Sequence, residues 1–430
     1  MTITCEVQYD NNPQGIFYAG QTLSGSAVVK LTESDTVNGK CLAQFKTISI
    51  KIEGFTVVHW SERRPQGQRR RSRHFTARQD YLNSLTYLVG GTPNGPAINV
   101  PQGTHVYKFV CVLPENLPTS FEGQYGHIRY TATVLVERPT HQNTTYREAF
   151  TVLRHVNLND DPSLKYPKKL EVSKSFGWWV FKSDPLNIVV EIPCTGFVPG
   201  QAIPVTVRWD NNSSASINGV RIKLFKNEEY QATDPYEKKR NDQQTVVKVE
   251  NRDMHKQGQV RFERNLTIPA VPPTSVSPLI KISYELVVYV HISSGDNPMF
   301  NVPISIGTIP LMGPPPESSS DDQPPAPPPN PPKIGFNVDG KSPPEKSEAP
   351  GPSQPSPNIA EPSAPSTSYT GTTQNELPPP TYEEAMSVTV AEDLSDNEQE
   401  PATPAMSKPF MPRYPVYNFD DSAHPGKGTS

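Results

Sequence analysis

Pro379, Pro380 and Tyr382 carry the sharpest chemical signal in the chain, within Leu377-Pro378-Pro379-Pro380-Thr381-Tyr382-Glu383-Glu384. Consecutive prolines hold a polyproline II backbone without internal hydrogen bonds, so little conformational entropy is left to lose on docking. The groove of a WW domain takes such prolines between aromatic rings, while the tyrosine of the Pro-Pro-x-Tyr pattern fills a separate pocket. The expected chemistry is peptide recognition, with no bond made or broken. Two weaker echoes follow, Pro412-Arg413-Tyr414 and Pro415-Val416-Tyr417, neither with a doubled proline. They read either as a secondary WW-binding site that adds avidity or as an apolar patch in a polar tail.

A second kind of contact is offered by the densest charge in the chain, which runs from Arg63-Arg64 through Arg69, Arg70, Arg71 and Arg73 to Arg78. Guanidinium groups pair with phosphate, and basic residues beside an anionic leaflet gain about 1 kcal/mol each. The cluster is expected in a loop, between a strand ending near Trp60 and a segment starting at Tyr81. It reads as a contact for phosphorylated cargo or lipid, or as a solvated tip that keeps the chain soluble. Pro324–Pro332 reads as a stiff spacer, and Ser395 stands in acidic text suited to an acid-directed kinase.

No GxSxG, P-loop, HExxH or kinase pattern occurs, and the nine histidines stand singly. No catalytic residue, metal or cofactor is expected. Cys5, Cys41, Cys111 and Cys194 lie far apart without ligand spacing, which suits buried thiols in a reducing compartment. A net charge of −4 gives no reason to expect nucleic acid as a partner. The first residues show no leader pattern, and no apolar run approaches the roughly 20 residues that span a bilayer.

These motifs hang on two kinds of chain. Of the 49 prolines, 27 fall within residues 314–430, a stretch without Trp or Cys. Such text cannot bury enough apolar surface to offset its ordering entropy, so a disordered tail is expected there. Upstream lies an internal repeat. Phe17-Tyr18-Ala19-Gly20-Gln21-Thr22-Leu23 returns 180 residues later as Phe197-Val198-Pro199-Gly200-Gln201-Ala202-Ile203. Leu113-Pro114 with Pro118-Thr119-Ser120 matches Ile268-Pro269 with Pro273-Thr274-Ser275 at an offset of 155. After one residue of slippage, Ile128–Val134 faces Ile282–Val288.

Ile48–Phe55, Val106–Leu113, Arg129–Val136, Ile188–Ile192, Val205–Trp209, Val220–Phe225 and Lys281–His291 alternate apolar with polar residues or are rich in β-branched ones. No helical stripe competes. The expected class is all-β, with two immunoglobulin-type antiparallel β-sandwich domains in tandem. They span 1–156 and 172–313, joined by a linker at 157–171 and followed by the tail at 314–430.

Together, the two Gly-Gln turns, the Pro-Thr-Ser elements and the tandem sandwiches resemble the arrestin fold. With Pro379-Pro380-Thr381-Tyr382 behind them, the chain is similar to the arrestin domain-containing proteins, the α-arrestins. The resemblance implies a non-enzymatic, cytoplasmic adaptor recruited to the plasma membrane and endosomes. Its tail would bring WW-domain HECT-type E3 ubiquitin ligases to membrane receptors or transporters, promoting their ubiquitination, endocytosis and sorting. Arrestins without such a tail hold an inactive state through a buried charged network, and this sequence does not allow one to be assigned residue by residue. Two alternatives stay open: a retromer-like structural trafficking scaffold, and a signalling regulator that acts through an exposed, low-pKa cysteine.

Overall fold

Period-two alternation in the sequence becomes strand in a computed structural model of the chain. It describes residues 2–313 except 33–35, 38–39, 67–68, 92–94, 140–141, 177–183, 253–256 and 294–296, together with 410–419. Among the described residues there is no α-helix; two short 3-10 turns, Leu158–Asp160 and Pro162–Lys165, lie between the two halves.

In the first half, strands Ile3–Tyr9, Thr22–Leu31 and Gly103–Val112 form one antiparallel sheet. Facing it is a sheet in the order Ile16–Tyr18, Thr144–Leu153, Gly126–Glu137, Thr47–Gln66, Arg69–Val89, with Phe121–Gly123 paired to Gly126–Glu137. The second half repeats the plan. Lys168–Lys174, Leu186–Ile192, Ala202–Asn211 and Gly258–Thr267 make one sheet, and the other runs Gly196–Phe197, Met299–Ile306, Ile280–Ile292, Ile217–Ala232, Lys238–Arg252. In both halves the short first strand of the larger sheet runs parallel to its neighbour, and the other pairings are antiparallel. Inward residues such as Val29, Ile50, Val134, Val190, Val207 and Val288 are fully buried and make the two cores.

The repeat holds at the level of single hydrogen bonds. Gly20 and Gly200 take positive φ, +86° and +89°. Each turn is closed by its glutamine, whose side-chain oxygen accepts from Tyr18 N (2.8 Å) in one copy and Val198 N (3.2 Å) in the other. The Tyr130 hydroxyl donates to the Pro118 carbonyl (2.6 Å), and the Tyr284 hydroxyl donates to that of Pro272 (2.5 Å). Ser120 and Thr274 accept from Val152 N and Ile306 N in the same way. These equivalences correct the expected register. The one-residue slip falls before the proline element, so Pro118 matches Pro272 and Ser120 matches Thr274.

Three further expectations change. Lys168–Lys174 pairs with Leu186–Ile192, so the connection between the sandwiches is shorter than the linker expected at 157–171. The basic stretch is not a loop. Thr47–Gln66 and Arg69–Val89 form one long antiparallel hairpin. Phe75 and Ala77 alternate inward along it beneath the run of charge, and the arginines masked that alternation. Finally, Phe410–Phe419 is seated against both sandwiches, whereas the whole of 314–430 was expected to be disordered.

Candidate functional site

The two long hairpins meet where the sandwiches abut. Thr76 N donates to the Asp234 carbonyl (2.9 Å), while Thr233 N and Asp234 N return to the Thr76 carbonyl at 3.1 and 3.0 Å. Lys238 Nζ pairs with Glu62 and lies 4.8 Å above the Phe75 ring. Arg240 lies over the Tyr125 ring at 3.8 Å and donates to its hydroxyl at 2.8 Å. The bond from Lys238 holds the Glu62 carboxyl below the usual glutamate range.

Beside this contact, charged side chains enter the interior. On strand Ile217–Ala232, Lys226 and Glu228 occupy inward positions in line with Val220, Ile222, Leu224, Tyr230 and Ala232. Lys226 Nζ lies 2.8 Å from Glu228 Oε1, though off the direction of a hydrogen bond, and the Tyr230 hydroxyl donates to the other carboxylate oxygen. Across the crease, Arg129 grips Glu122 through two bonds of 2.6 and 2.8 Å. Burial pushes the Glu122 carboxyl up, with Arg129 opposing it. Gly123 packs against the Tyr230 hydroxyl so closely that a Cβ there would overlap it. This is the kind of buried charged network that the sequence did not allow to be assigned. One signal was available: the alternation from Val220 continues to Ala232, with Lys226 and Glu228 where apolar residues belong.

The C-terminal segment Phe410–Phe419 closes over this region. Arg413 N donates to Thr151 Oγ1 (3.3 Å), and the Tyr414 hydroxyl donates to the Ser120 carbonyl (3.0 Å) in the first sandwich. Tyr417 N donates to the Pro199 carbonyl (2.9 Å), and its hydroxyl donates to that of Thr308 in the second. Pro415 is buried, and Tyr414 is half-buried as a whole with its hydroxyl end deep in the molecule. That burial, with the negative charges of Glu122 and Glu228 nearby, drives the Tyr414 hydroxyl well above the usual tyrosine range. The segment enters as Pro412, Tyr414, Pro415 and Tyr417, the residues read from sequence as a secondary WW-binding site. In this arrangement both tyrosines are turned to the sandwiches.

Pro379, Pro380 and Tyr382 lie outside the described residues. The backbones of Arg69, Arg70 and Arg71 lie in the basic hairpin, facing Gln66, Pro65 and Arg64. Arg73, opposite Glu62, is exposed with its guanidinium 5.7 Å above the Tyr236 ring of the second sandwich.

Residues 5–159 match the family model of the arrestin (or S-antigen) N-terminal domain, and 182–311 match that of the C-terminal domain. This chain belongs to the α-arrestin family. Mouse arrestin domain-containing protein 4 is 27% identical over 314 residues, covering 71% of this chain and 72% of that protein. Arrestin domain-containing protein 17 of Caenorhabditis elegans is 26% identical over 310 residues, 70% of this chain and 69% of that one. Human arrestin domain-containing protein 1 is 25% identical over 217 residues, about half of each chain. Membership supports an adaptor role in trafficking for this α-arrestin, within a family of generally non-enzymatic proteins.

Proposed function

We infer that this α-arrestin recruits WW-domain HECT-type E3 ubiquitin ligases through Pro379, Pro380 and Tyr382 and carries them to membrane receptors or transporters held by its sandwiches. The observation that carries the reading is the Pro-Pro-x-Tyr pattern behind two arrestin domains. The chain acts by effective concentration, binding cargo and ligase at once so that cargo lysines meet the ligase within one complex. On this reading it works in the cytoplasm, at the plasma membrane and on endosomes, promotes ubiquitination, endocytosis and sorting, and catalyses nothing itself.

The test is a titration of isolated WW domains from HECT ligases against the full chain and against Tyr382→Ala. Loss of binding in the variant is the expected result. Tyr414 and Tyr417 are held in the crease, so little residual binding should come from them. No binding to the unmodified chain would overturn the ligase reading and favour a structural trafficking scaffold.

A further inference from the structure

We propose that the free edge of Gly103–Val112 in the first sandwich is a strand-addition site for an uncharged, extended peptide of a partner protein with apolar side chains at alternate positions. This strand ends its sheet: it pairs with Thr22–Leu31 on one side, and among the described residues no strand pairs with it on the other. The direction of its backbone groups follows from one bond. Leu113 N donates to the Gln21 carbonyl (2.9 Å), so by alternation Tyr107, Phe109 and Cys111 turn their amides and carbonyls to Thr22–Leu31. Val106, Lys108 and Val110 turn theirs to the open edge. A row of donors and acceptors at this spacing is matched by another extended backbone, which is what selects a strand as the occupant.

The side chains select the kind of strand. Val106, Val110 and Val112 are 58%, 61% and 68% exposed on the outer face, where Val106 stands opposite the half-buried Val28. The second sandwich supplies a comparison within the same molecule. Ile268 N donates to the Gln201 carbonyl as Leu113 N does to that of Gln21, so Arg261, Asn265 and Thr267 occupy the places of the three valines. There Arg261 Nε donates to Glu263 (2.7 Å), and exposed charge guards the edge against pairing. In the first sandwich the charge at the matching place, Lys108, reaches back across the sheet to Asp10 (2.9 Å), at the end of Ile3–Tyr9. Among the described residues of this face, Lys30 and Lys108 stand against Glu6 and Asp10, which leaves no net charge. A neutral strand is the complement of such a face, and an anionic lipid surface or a phosphorylated peptide is not. The site belongs to the sandwich and is independent of ligase recruitment by the tail.

The experiment uses the full chain and a short synthetic peptide of alternating threonine and valine. In the free chain, the amides of Val106, Lys108 and Val110 should exchange with solvent roughly tenfold or more faster than those of Tyr107 and Phe109. Saturating peptide should slow the first three by a similar factor. Opposite residues share a face, so the peptide's valines lie over Val106 and Val110 and turn their own amides to the edge. N-methylation of the peptide at its valines should therefore abolish binding, and N-methylation at its threonines should spare it. Val106→Arg with Val110→Asn, which places the second sandwich's residues on this edge, should weaken binding at least tenfold. Unchanged protection of Tyr107 and Phe109 shows that this variant is folded. Absence of peptide binding, equal tolerance of the two methylation patterns, or full binding to the variant overturns the site. So does slow exchange of Val106, Lys108 and Val110 in the free chain: lost on dilution, it means that a second copy holds the edge, and kept on dilution, that this chain covers it itself.

Discussion

Gly200, at φ +89°, faces the carbonyl of Tyr417 so closely that a Cβ on it would overlap that oxygen. Its counterpart in the first sandwich, Gly20 at φ +86°, would bring a Cβ no nearer than 3.3 Å, to the flexible side chain of Glu115. One turn thus serves two purposes: it starts a strand in both halves, and in the second it also makes room for the returning C-terminal segment.

Gly20→Ala and Gly200→Ala are therefore expected to differ. Both incur the strain of a positive φ, about 1–2 kcal/mol. Only Gly200→Ala should also unseat Phe410–Phe419. Urea unfolding should show similar losses for the sandwiches, and hydrogen exchange should show Tyr417 deprotected in Gly200→Ala alone. Equal protection in the two variants would contradict the packing described.

Glu228→Gln should destabilise the chain by about 3–5 kcal/mol, because it leaves Lys226 charged and buried without its partner. Replacing both residues, Lys226→Met with Glu228→Gln, should recover most of that loss. A double-mutant cycle in urea measures the coupling, and additive losses would mean that the two charges do not interact.

His127 gives a pH dependence of definite sign. Burial, with Arg129 and Arg78 nearby, lowers its pKa from 6.5 to about 3. The unfolded chain therefore binds a proton that the folded chain refuses, and stability falls as pH drops from 6.5 towards 3. The loss at pH 4 is bounded at roughly 3 kcal/mol, less to the extent that the ring meets solvent. His127→Gln should flatten this limb of a stability–pH curve, and an unchanged slope would rule out the assignment.

Among the described cysteines, Cys5 and Cys111 are buried and Cys194 is half-buried. Burial raises all three thiols, Cys5 to about 11. Native labelling with an alkylating reagent near neutral pH should leave them unmodified until the chain unfolds. Rapid labelling of any of them would revive a thiol-based signalling role.

The strands were legible because their cause is local. Alternation along Ile48–Phe55 or Arg129–Val136 reports which face is buried without reference to the partner strand. Arg69 to Arg78 misled for the opposite reason: its charge outweighed the alternation of Phe75 and Ala77, which pays off only once the partner strand from Thr47 is alongside. Lys226 and Glu228 were hidden by a strand read as ending at Phe225, since two charges at inward positions make sense only with Tyr230 and the crease in place.

By itself the sequence determined the two-fold repeat, the Gly-Gln turns and the Pro-Pro-x-Tyr motif. In each, the deciding atoms lie within a few residues of one another, as Tyr18 and Gln21 do at 2.8 Å. Only the tertiary structure decided what becomes of Tyr414 and Tyr417. Their partners, Ser120 and Thr308, stand 294 and 109 residues away in the chain. A polar aromatic tail segment reads the same whether it waits for a WW domain or fills a crease. What separates the two is the meeting of the Ser120 carbonyl in the first sandwich with those of Pro199 and Thr308 in the second, which stand together only after both sandwiches have folded and met.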